Sequence, residues 1–385
     1  MSTSWDAVVV GAGPAGSATA TRLARAGHRV LLLDREEFPR DKPCGECVNP
    51  AAVRALESLG TLDALRTLAH ADLGGWRIRP AGAPPFEGRF PPGESGMGIR
   101  RVDLDAVLLD LARRGGAAVR TGARVTDVVR EDGRVTGVRV GAEEIRARLV
   151  VGADGLRSII VRRLGLLRRG PKLRKLALTA HVRGVWELDG LGELHVFPWG
   201  CVGVAAVGGG QSNVTVVVTG RAMERVTGAR DEYFDGLLRS TPRFRGAERV
   251  GAVQATGPFD WPTRGTAADG ALVVGDAAGY FDPFTGQGIY RALRGAELAA
   301  AVADAALRSG DLSAARLAPY HRAQHGEFGP GQRVQRLIEG FVARPALLRA
   351  AGALFRRRPA LSDALIAVTG DLAPVRSLLT PGHGR

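Results

Sequence analysis

Cysteine is scarce: three residues in 385, too few for a disulfide framework and in keeping with a reducing, cytoplasmic setting. Aromatic residues make up only 5%, so aliphatic side chains and alanine must fill the core. Long apolar runs are missing; nothing approaches the ~18 uninterrupted residues of a membrane span. The N-terminus carries no charged segment followed by an apolar signal core. A cytoplasmic protein, at most peripheral to a membrane, is expected. No basic stretch interleaved with aromatics and no nucleic-acid-binding module is present, which argues against nucleic acid as a partner. The 53 glycines come with no repeat and no low-complexity run, so they mark turns and close backbone approaches rather than disorder.

Charge of one sign dominates. The formal net charge is +14, and from Arg333 onward nine arginines face three acids, Glu339, Asp363 and Asp371. Such a bias suits an anionic ligand or a membrane surface, and equally a solvated arginine-rich face. The segment Phe341 to Phe355, followed by Arg356-Arg-Arg358, is apolar, helical and basic at its end. It reads either as a peripheral membrane contact or as a cap helix packed on the nucleotide domain.

The chain is organised around Asp6-Ala-Val-Val-Val-Gly-Ala-Gly-Pro-Ala-Gly16. Gly11, Gly13 and Gly16 stand in G-x-G-x-x-G spacing between a buried strand, Ala7 to Val10, and a helix from Pro14 to Ala26. Gly11 permits the tight turn, Gly13 lets a pyrophosphate approach the backbone, and Gly16 lets helix and strand pack closely. The helix N-terminus offers unpaired N–H groups and a partial positive charge. The next strand, His28 to Leu33, ends at Asp34, where an acid can bond a ribose hydroxyl. Strand, glycines, helix, strand and acid together specify a dinucleotide site.

Residues 35–47 are too polar and proline-broken for a regular element and form a loop beside the nucleotide. Asn49 caps a helix from Pro50 to Leu59, which Gly60 ends. Residues 73–98 leave for a second, β-rich region, and a helix runs from Arg101 to Arg114. Short strands follow at Ala118 to Arg120, Ala123 to Arg130, Val135 to Val140 and Glu144 to Ala147, with Glu131-Asp-Gly133 as a hairpin turn. Apolar Arg148 to Gly152 then returns to the parallel sheet. From Leu176 to Pro262 short strands are expected again, and Gly208-Gly-Gly210 is a turn between two of them rather than a second phosphate loop. Gly270 to Asp276 is a buried strand leading into a helix from Gly288 to Leu307. A helical tail from Ser313 is broken by Pro319, Pro330, Pro345 and Pro359. The expected class is α/β: a Rossmann-type domain from 1–72, 99–170 and 265–312, an inserted antiparallel β-sheet substrate domain from 73–98 and 171–264, and a helical C-terminal region, 313–385.

Three motifs fall at strand ends: Gly11 to Gly16, Gly152-Ala-Asp-Gly155, and Gly275-Asp276 through Gly288. Ligands of such sheets bind outside the carboxyl ends of the strands, so one extended dinucleotide explains all three. Gly286 and Gly288 let the backbone approach a flat ring, with a helix N-terminus behind them. Cys44 and Cys47 form C-x-x-C, which reads as a redox dithiol, as half a zinc site, or as packing. No second cysteine pair or nearby histidine cluster exists, so no metal is expected. Glu46 is an acid near the ring or a solvated loop residue.

With Phe38-Pro-Arg-Asp-Lys-Pro-Cys-Gly45, Arg101 in R-x-x-L-D-x-x-L, Asp154-Gly155 with Ser158, and Gly275-Asp-Ala-Ala-Gly279 with Pro283-Phe-Thr-Gly-Gln-Gly-Ile289, the sequence resembles the FAD-dependent oxidoreductases of the aromatic-hydroxylase-like fold. Within them it is similar to the geranylgeranyl reductase family, over residues 6 to 295. It departs at Glu46-Cys47, where the family often continues with glycine, and at Val161, which holds a usual Arg position with Arg162 one later. The resemblance implies FAD, with Asp34 on the adenosine ribose, Arg101 near the pyrophosphate or ribityl, Asp276 on the ribityl chain, and Gly286, Gln287, Gly288 and Ile289 beside the isoalloxazine. Further implied contacts are Gly11, Gly13, Pro14, Ala15, Gly16, Arg35, Cys44, Gly45, Val125, Asp154, Gly155, Gly275 and Pro283. Cys44 and Glu46 become candidate catalytic residues.

His195-Val-Phe-Pro-Trp-Gly200 resembles the family's cavity-lining segment, although the Tyr and Trp ahead of Phe-Pro are missing. Phe197, Pro198 and Trp199 are expected to wall an apolar substrate, or else to pack a strand end into the core. The implied activity is reduction of a C=C bond in an isoprenoid or related apolar metabolite, by hydride from flavin that NADPH or NADH has reduced. The alternative is an aromatic or polyketide monooxygenase using NAD(P)H and O2. A flavin halogenase is disfavoured because no W-x-W-x-I-P segment is present. A third class is a non-catalytic flavoprotein.

Overall fold

The structure, a computed structural model, describes residues 4–220, 222–226, 228–282 and 284–378. Five strands, Ala118–Arg120, Val30–Leu33, Trp5–Val10, Glu143–Gly152 and Ala271–Val273, lie parallel in that order. The aliphatic residues of the last four are buried on both faces, as a covered parallel sheet requires. Leu33 stands opposite Val10, Val10 opposite Gly152, and Gly152 opposite Val273, so the carboxyl ends form one row. All three glycine motifs leave from that row.

Helix α1 (Pro14–Arg25) follows the first motif. A Cβ on Gly16 would lie 1.7 Å from the Gly11 carbonyl oxygen, so only glycine lets α1 leave the turn this way. Asn49 Oδ1 accepts from Ala52 N at 2.9 Å and caps α2 (Pro50–Leu59), and left-handed Gly60 ends it. Short α3 (Leu62–Arg66) precedes α4 (Arg101–Arg114). The expected break between Glu144 to Ala147 and Arg148 to Gly152 does not exist. Glu143–Gly152 is one strand, antiparallel to Arg134–Val140 in its first half and parallel to Trp5–Val10 in its second. Arg148 passes without a break because its guanidinium reaches Asp6 at 3.1 Å and the Leu307 carbonyl at 2.6 Å.

After α5 (Ile159–Arg163), a seven-stranded sheet takes Gly75–Pro80 and Phe86–Arg89 from one stretch and five strands between Lys175 and Thr256 from another. It is not wholly antiparallel: Gly192–Phe197 runs parallel to Gly75–Pro80, because the two stretches meet across the sheet and not through a hairpin. Gly192 is required at this join, since a Cβ there would sit 2.6 Å from the Trp76 ring. Strands alone do not fill residues 171–264. The sequence places α6 (Ala222–Val226) and α7 (Arg230–Ser240) there, with Phe234 and Leu238 at i,i+4 buried on the sheet.

Helix α8 (Gly288–Ser309) packs alanine-rich turns, Ala296 to Ala306, against α1. The tail differs from expectation. Pro319 and Pro330 lie inside one helix, α9 (Ala314–Val342), and only Pro345 and Pro359 start new ones, α10 (Pro345–Arg357) and α11 (Pro359–Thr369). An internal proline removes one hydrogen bond, and the packing of Tyr320 and Phe328 against α8 keeps the helix whole. The Phe341–Phe355 segment is therefore two helices. While α9 packs on α8, α10 and α11 cover the seven-stranded sheet rather than the nucleotide unit: Phe355 meets Phe86 at 5.1 Å, and Asp363 accepts from Arg89 N at 2.8 Å.

Candidate active site

A cavity of about 220 Å³ opens at the row of strand ends, between the glycine motifs and the seven-stranded sheet. Gly13, Pro14 and Ala15 line it at the start of α1, whose first N–H groups have no side-chain cap. Nothing but the Arg40 guanidinium, at 3.8 Å, approaches the place of a Gly13 Cβ, which leaves that backbone open. Gly155, Asp276, Gly286, Gly288 and Ile289 line the same cavity, as do Cys44, Gly45, Glu46 and Arg101. The convergence read from strand ends is thus a geometric fact.

Charge at this edge is arranged for an anion. Buried Asp105 grips Arg101 through Nε and Nη2 at 2.8 and 2.7 Å, and Arg40 at 2.9 Å. Burial raises its carboxyl, but Arg101, Arg40 and Lys42 outweigh this and hold it below the ordinary range. Lys42 lines the cavity and makes no hydrogen bond or ion pair among the described residues. Burial and the neighbouring Arg101 push its ammonium down. Arg40 also reaches Asp34 at 3.9 Å, and Asp276 lines the same cavity, so Lys42 is the cation of this edge left without an ion-pair partner among the described residues, placed to meet a pyrophosphate. The residues therefore fit FAD: open glycine backbone, a free helix N-terminus, and an unpaired ammonium.

Glu46 is not a solvated loop residue. It is 1% exposed, sits at φ 56°, and has its carboxylate fully engaged. Oε1 accepts from Arg101 N at 2.7 Å, at the N-terminus of α4, while Oε2 meets His181 Nε2 at 2.7 Å and Asn213 Nδ2 at 3.0 Å. The Cys44 carbonyl accepts from Thr179 Oγ1 and Asn213 Nδ2 at 3.2 and 3.0 Å. The loop is thereby pinned to the seven-stranded sheet. Cys44 and Cys47 are free thiols, and Cys47 is pushed up by burial, with Cys44 and Glu46 adding to it, which opposes thiolate chemistry there.

Other residues named from the sequence are not among those lining the cavity. Asp34 ties the glycine loop itself, accepting from Ala12 N at 2.7 Å and from Glu36 N at 2.9 Å. Arg35 is exposed and paired with Glu36. Val125 is buried with Leu31 and Leu33, away from the cavity. Asp154 turns from the cavity to cap α5, accepting from Ser158 Oγ at 2.5 Å and Ile159 N at 2.7 Å. Gly275 seats the turn after the last parallel strand against Ala15. Gln287 donates to Asp371 at 2.6 Å, and Pro283 lies outside the described residues.

Phe197 and Trp199 do not wall the cavity. They stack on each other at 4.9 Å and join the cluster of Leu178, Val202 and Val216 on the opposite face of the sheet, with Pro198 in the turn between them. The period of two gives the inner face to Leu194, Val196 and Cys201 instead. A second, apolar cavity of about 320 Å³ lies there, between the sheet and α9, α10 and α11. Trp76, Leu194 and Phe284 line both cavities and stand where the two meet. Lys42, Arg40 and these three were not singled out as site residues from the sequence; Arg40 and Lys42 lie inside the quoted Phe38 to Gly45 motif, while the junction depends on tertiary packing.

The sequence pattern of the family described as FAD binding domain matches residues 4–326. The menaquinone reductase of Mycobacterium tuberculosis is 32% identical, over 95% of this chain and 91% of its own. Digeranylgeranylglycerophospholipid reductase 1 of Methanococcoides burtonii is 33% identical, over 86% and 81%. The chain belongs to the geranylgeranyl reductase family of FAD-dependent oxidoreductases. FAD is its cofactor. Among solved structures, a geranylgeranyl bacteriochlorophyll reductase-like protein from Thermoplasma acidophilum superposes with a TM-score of 0.81 at 23% identity, over 98% of this chain and 95% of that one. A flavin-dependent brominase superposes with 0.82, also at 23%, over 96% and 94%. At such identity these two show the shared fold and not the reaction of this flavoprotein. No helix among its described residues is long and apolar enough to cross a membrane.

Proposed function

We propose that this flavoprotein reduces a C=C bond in an isoprenoid or related apolar, chain-bearing metabolite. The observation that carries the reading is the junction at Trp76, Leu194 and Phe284, where an apolar cavity opens beside the flavin-binding one. A chain lying in the second cavity would present its near end to the first. The relatives named above are reductases of menaquinone and of digeranylgeranylglycerophospholipid, two molecules that carry prenyl chains. The substrate unit in this reading is 73–98 with 171–264, inserted into the FAD unit 1–72, 99–170 and 265–312, and the tail helices of the 313–385 region close the apolar cavity.

Bound FAD, reduced by NADPH or NADH, supplies the hydride. The chain's own residues do the rest. Lys42, Arg40 and Arg101 would hold the pyrophosphate, and Gly286 and Gly288, at the start of α8, would admit the ring. Leu194, Phe284 and Phe259 keep water from the reacting carbons. Tyr280 lines the same cavity, and its hydroxyl has no hydrogen-bond partner among the described residues. Burial, with Asp276 and Asp282 nearby, pushes that phenol well above its ordinary value, so Tyr280 Oη holds a proton for the second carbon.

Anaerobic mixing of reduced holoenzyme with a prenyl quinone or prenyl lipid tests the reading. Flavin reoxidation with a product heavier by two hydrogens is expected. Reoxidation that requires O2, with labelled oxygen in the product, selects the monooxygenase reading instead.

A further inference from the structure

Three large apolar side chains stand in solvent at the outer rim of the second cavity: Leu337 is 60% exposed, Leu354 47% and Leu347 45%. Leu337 and Leu354 also line the cavity, so they mark its mouth, between α9 and α10. The seven arginines from Arg333 to Arg358 are all exposed, on the same stretch of chain as these leucines. None forms an ion pair with a carboxylate among the described residues, and the one acid in the span, Glu339, is bound to Lys175 at 2.6 Å. On α9, Arg333 falls at i−4 from Leu337 and shares its stripe, and Arg344 stands at the joint between α9 and α10. Arg336 lies over the Phe281 ring at 5.5 Å, Arg344 donates to the Gly340 carbonyl, and Arg356 donates to the Pro84 carbonyl. These contacts hold stems in place and leave the charges unneutralised.

A protein that only met water would gain nothing from leucines exposed at the mouth of an apolar cavity on a stretch of unpaired cations. We infer that the α9–α10 face docks on an anionic lipid bilayer, with the leucines entering the acyl boundary and the arginines meeting the headgroups. The mouth then opens into the bilayer, and a chain-bearing substrate passes from lipid to the flavin cavity without crossing water. The substrate route rests on the reductase reading; the docking itself does not.

Co-sedimentation of the full-chain holoenzyme with vesicles of phosphatidylcholine, alone or mixed with phosphatidylglycerol, separates the two. Binding to the mixed vesicles at low salt is expected, with little on the neutral ones and loss at high salt. The Arg333→Glu/Arg349→Glu pair, and separately Leu347→Glu, lie outside both cavities. Each should weaken vesicle binding about tenfold or more while keeping the flavin spectrum and turnover of a short, water-soluble substrate. Equal sedimentation with both vesicle types, absence of sedimentation, or variants that bind like the parent would overturn the docking. If vesicles bind as expected and no prenyl compound is reduced, the reductase reading fails and the docking stands.

Discussion

His181 Nε2 and Glu46 Oε2 lie 2.7 Å apart across the seam between the flavin-binding loop and the seven-stranded sheet. The hydrogen bond to Glu46 outweighs burial and raises the imidazole above its ordinary 6.5. Protonated His181 therefore stabilises the seam fully below the ordinary histidine range, and the contribution fades as pH rises through the raised value. His181→Gln should cost about 1–2 kcal/mol near about pH 6 and much less near about pH 9. Denaturant unfolding at both pH values measures this. A gap that does not shrink with rising pH would contradict it.

Lys42 is the ammonium left unpaired at the phosphate edge. Lys42→Met should weaken FAD binding by about 30- to 100-fold, the worth of a lost charge-assisted bond. Arg35→Ala, at an exposed side chain, should change it little. Titration of apoprotein with FAD, followed by flavin fluorescence, distinguishes the two.

Asp371 ties the tail to both halves of the site, accepting from Asn49 Nδ2 at 2.8 Å and Gln287 Nε2 at 2.6 Å. Burial pushes its carboxyl up to about 7, against the pull of those two amides and Arg291. A raised carboxyl contributes most at acid pH, and that contribution is lost as pH climbs from its usual value through about 7. Asp371→Asn removes this decline. The variant should gain about 1–3 kcal/mol relative to the parent between about pH 5 and about pH 8, whatever its offset at acid pH. Parallel stability profiles would exclude the effect.

Tyr280→Phe keeps the ring that packs against Phe259 at 5.9 Å and removes only the hydroxyl. Turnover should fall by about 100-fold or more with FAD binding intact. Unchanged kcat would remove Tyr280 from proton transfer.

Much of this was legible in local residue patterns. Asn49 and Gly60 marked a helix and bounded it, and Gly208-Gly-Gly210 was recognisable as a turn because strands with period two flank it. The row of strand ends followed from three apolar runs that each stop at glycine. Other features depend on what packs from far away. Nothing in Phe197 or Trp199 says which face of the strand carries the cavity; that depends on α7 covering one side and the tail helices the other. The spacing of Tyr233, Phe234, Leu237 and Leu238 did carry the signal for α7, and the strand-rich surroundings masked it. Pro319 and Pro330 looked like breaks because a local rule cannot see α8 beside them. The second cavity had no signature at all, since Phe86 and Phe355 are joined only by folding.

Reduction of a chain-bearing substrate requires the chain to enter the flavin cavity through the junction at Leu194. Leu194→Trp fills that junction from the sheet side, where the leucine is already buried. Steady-state kinetics with one long-chain and one short substrate of the same head group tests this entry directly. KM for the long chain should rise about tenfold or more while the short substrate and FAD binding are barely affected. Equal changes for both substrates, or none for either, would contradict entry at Leu194.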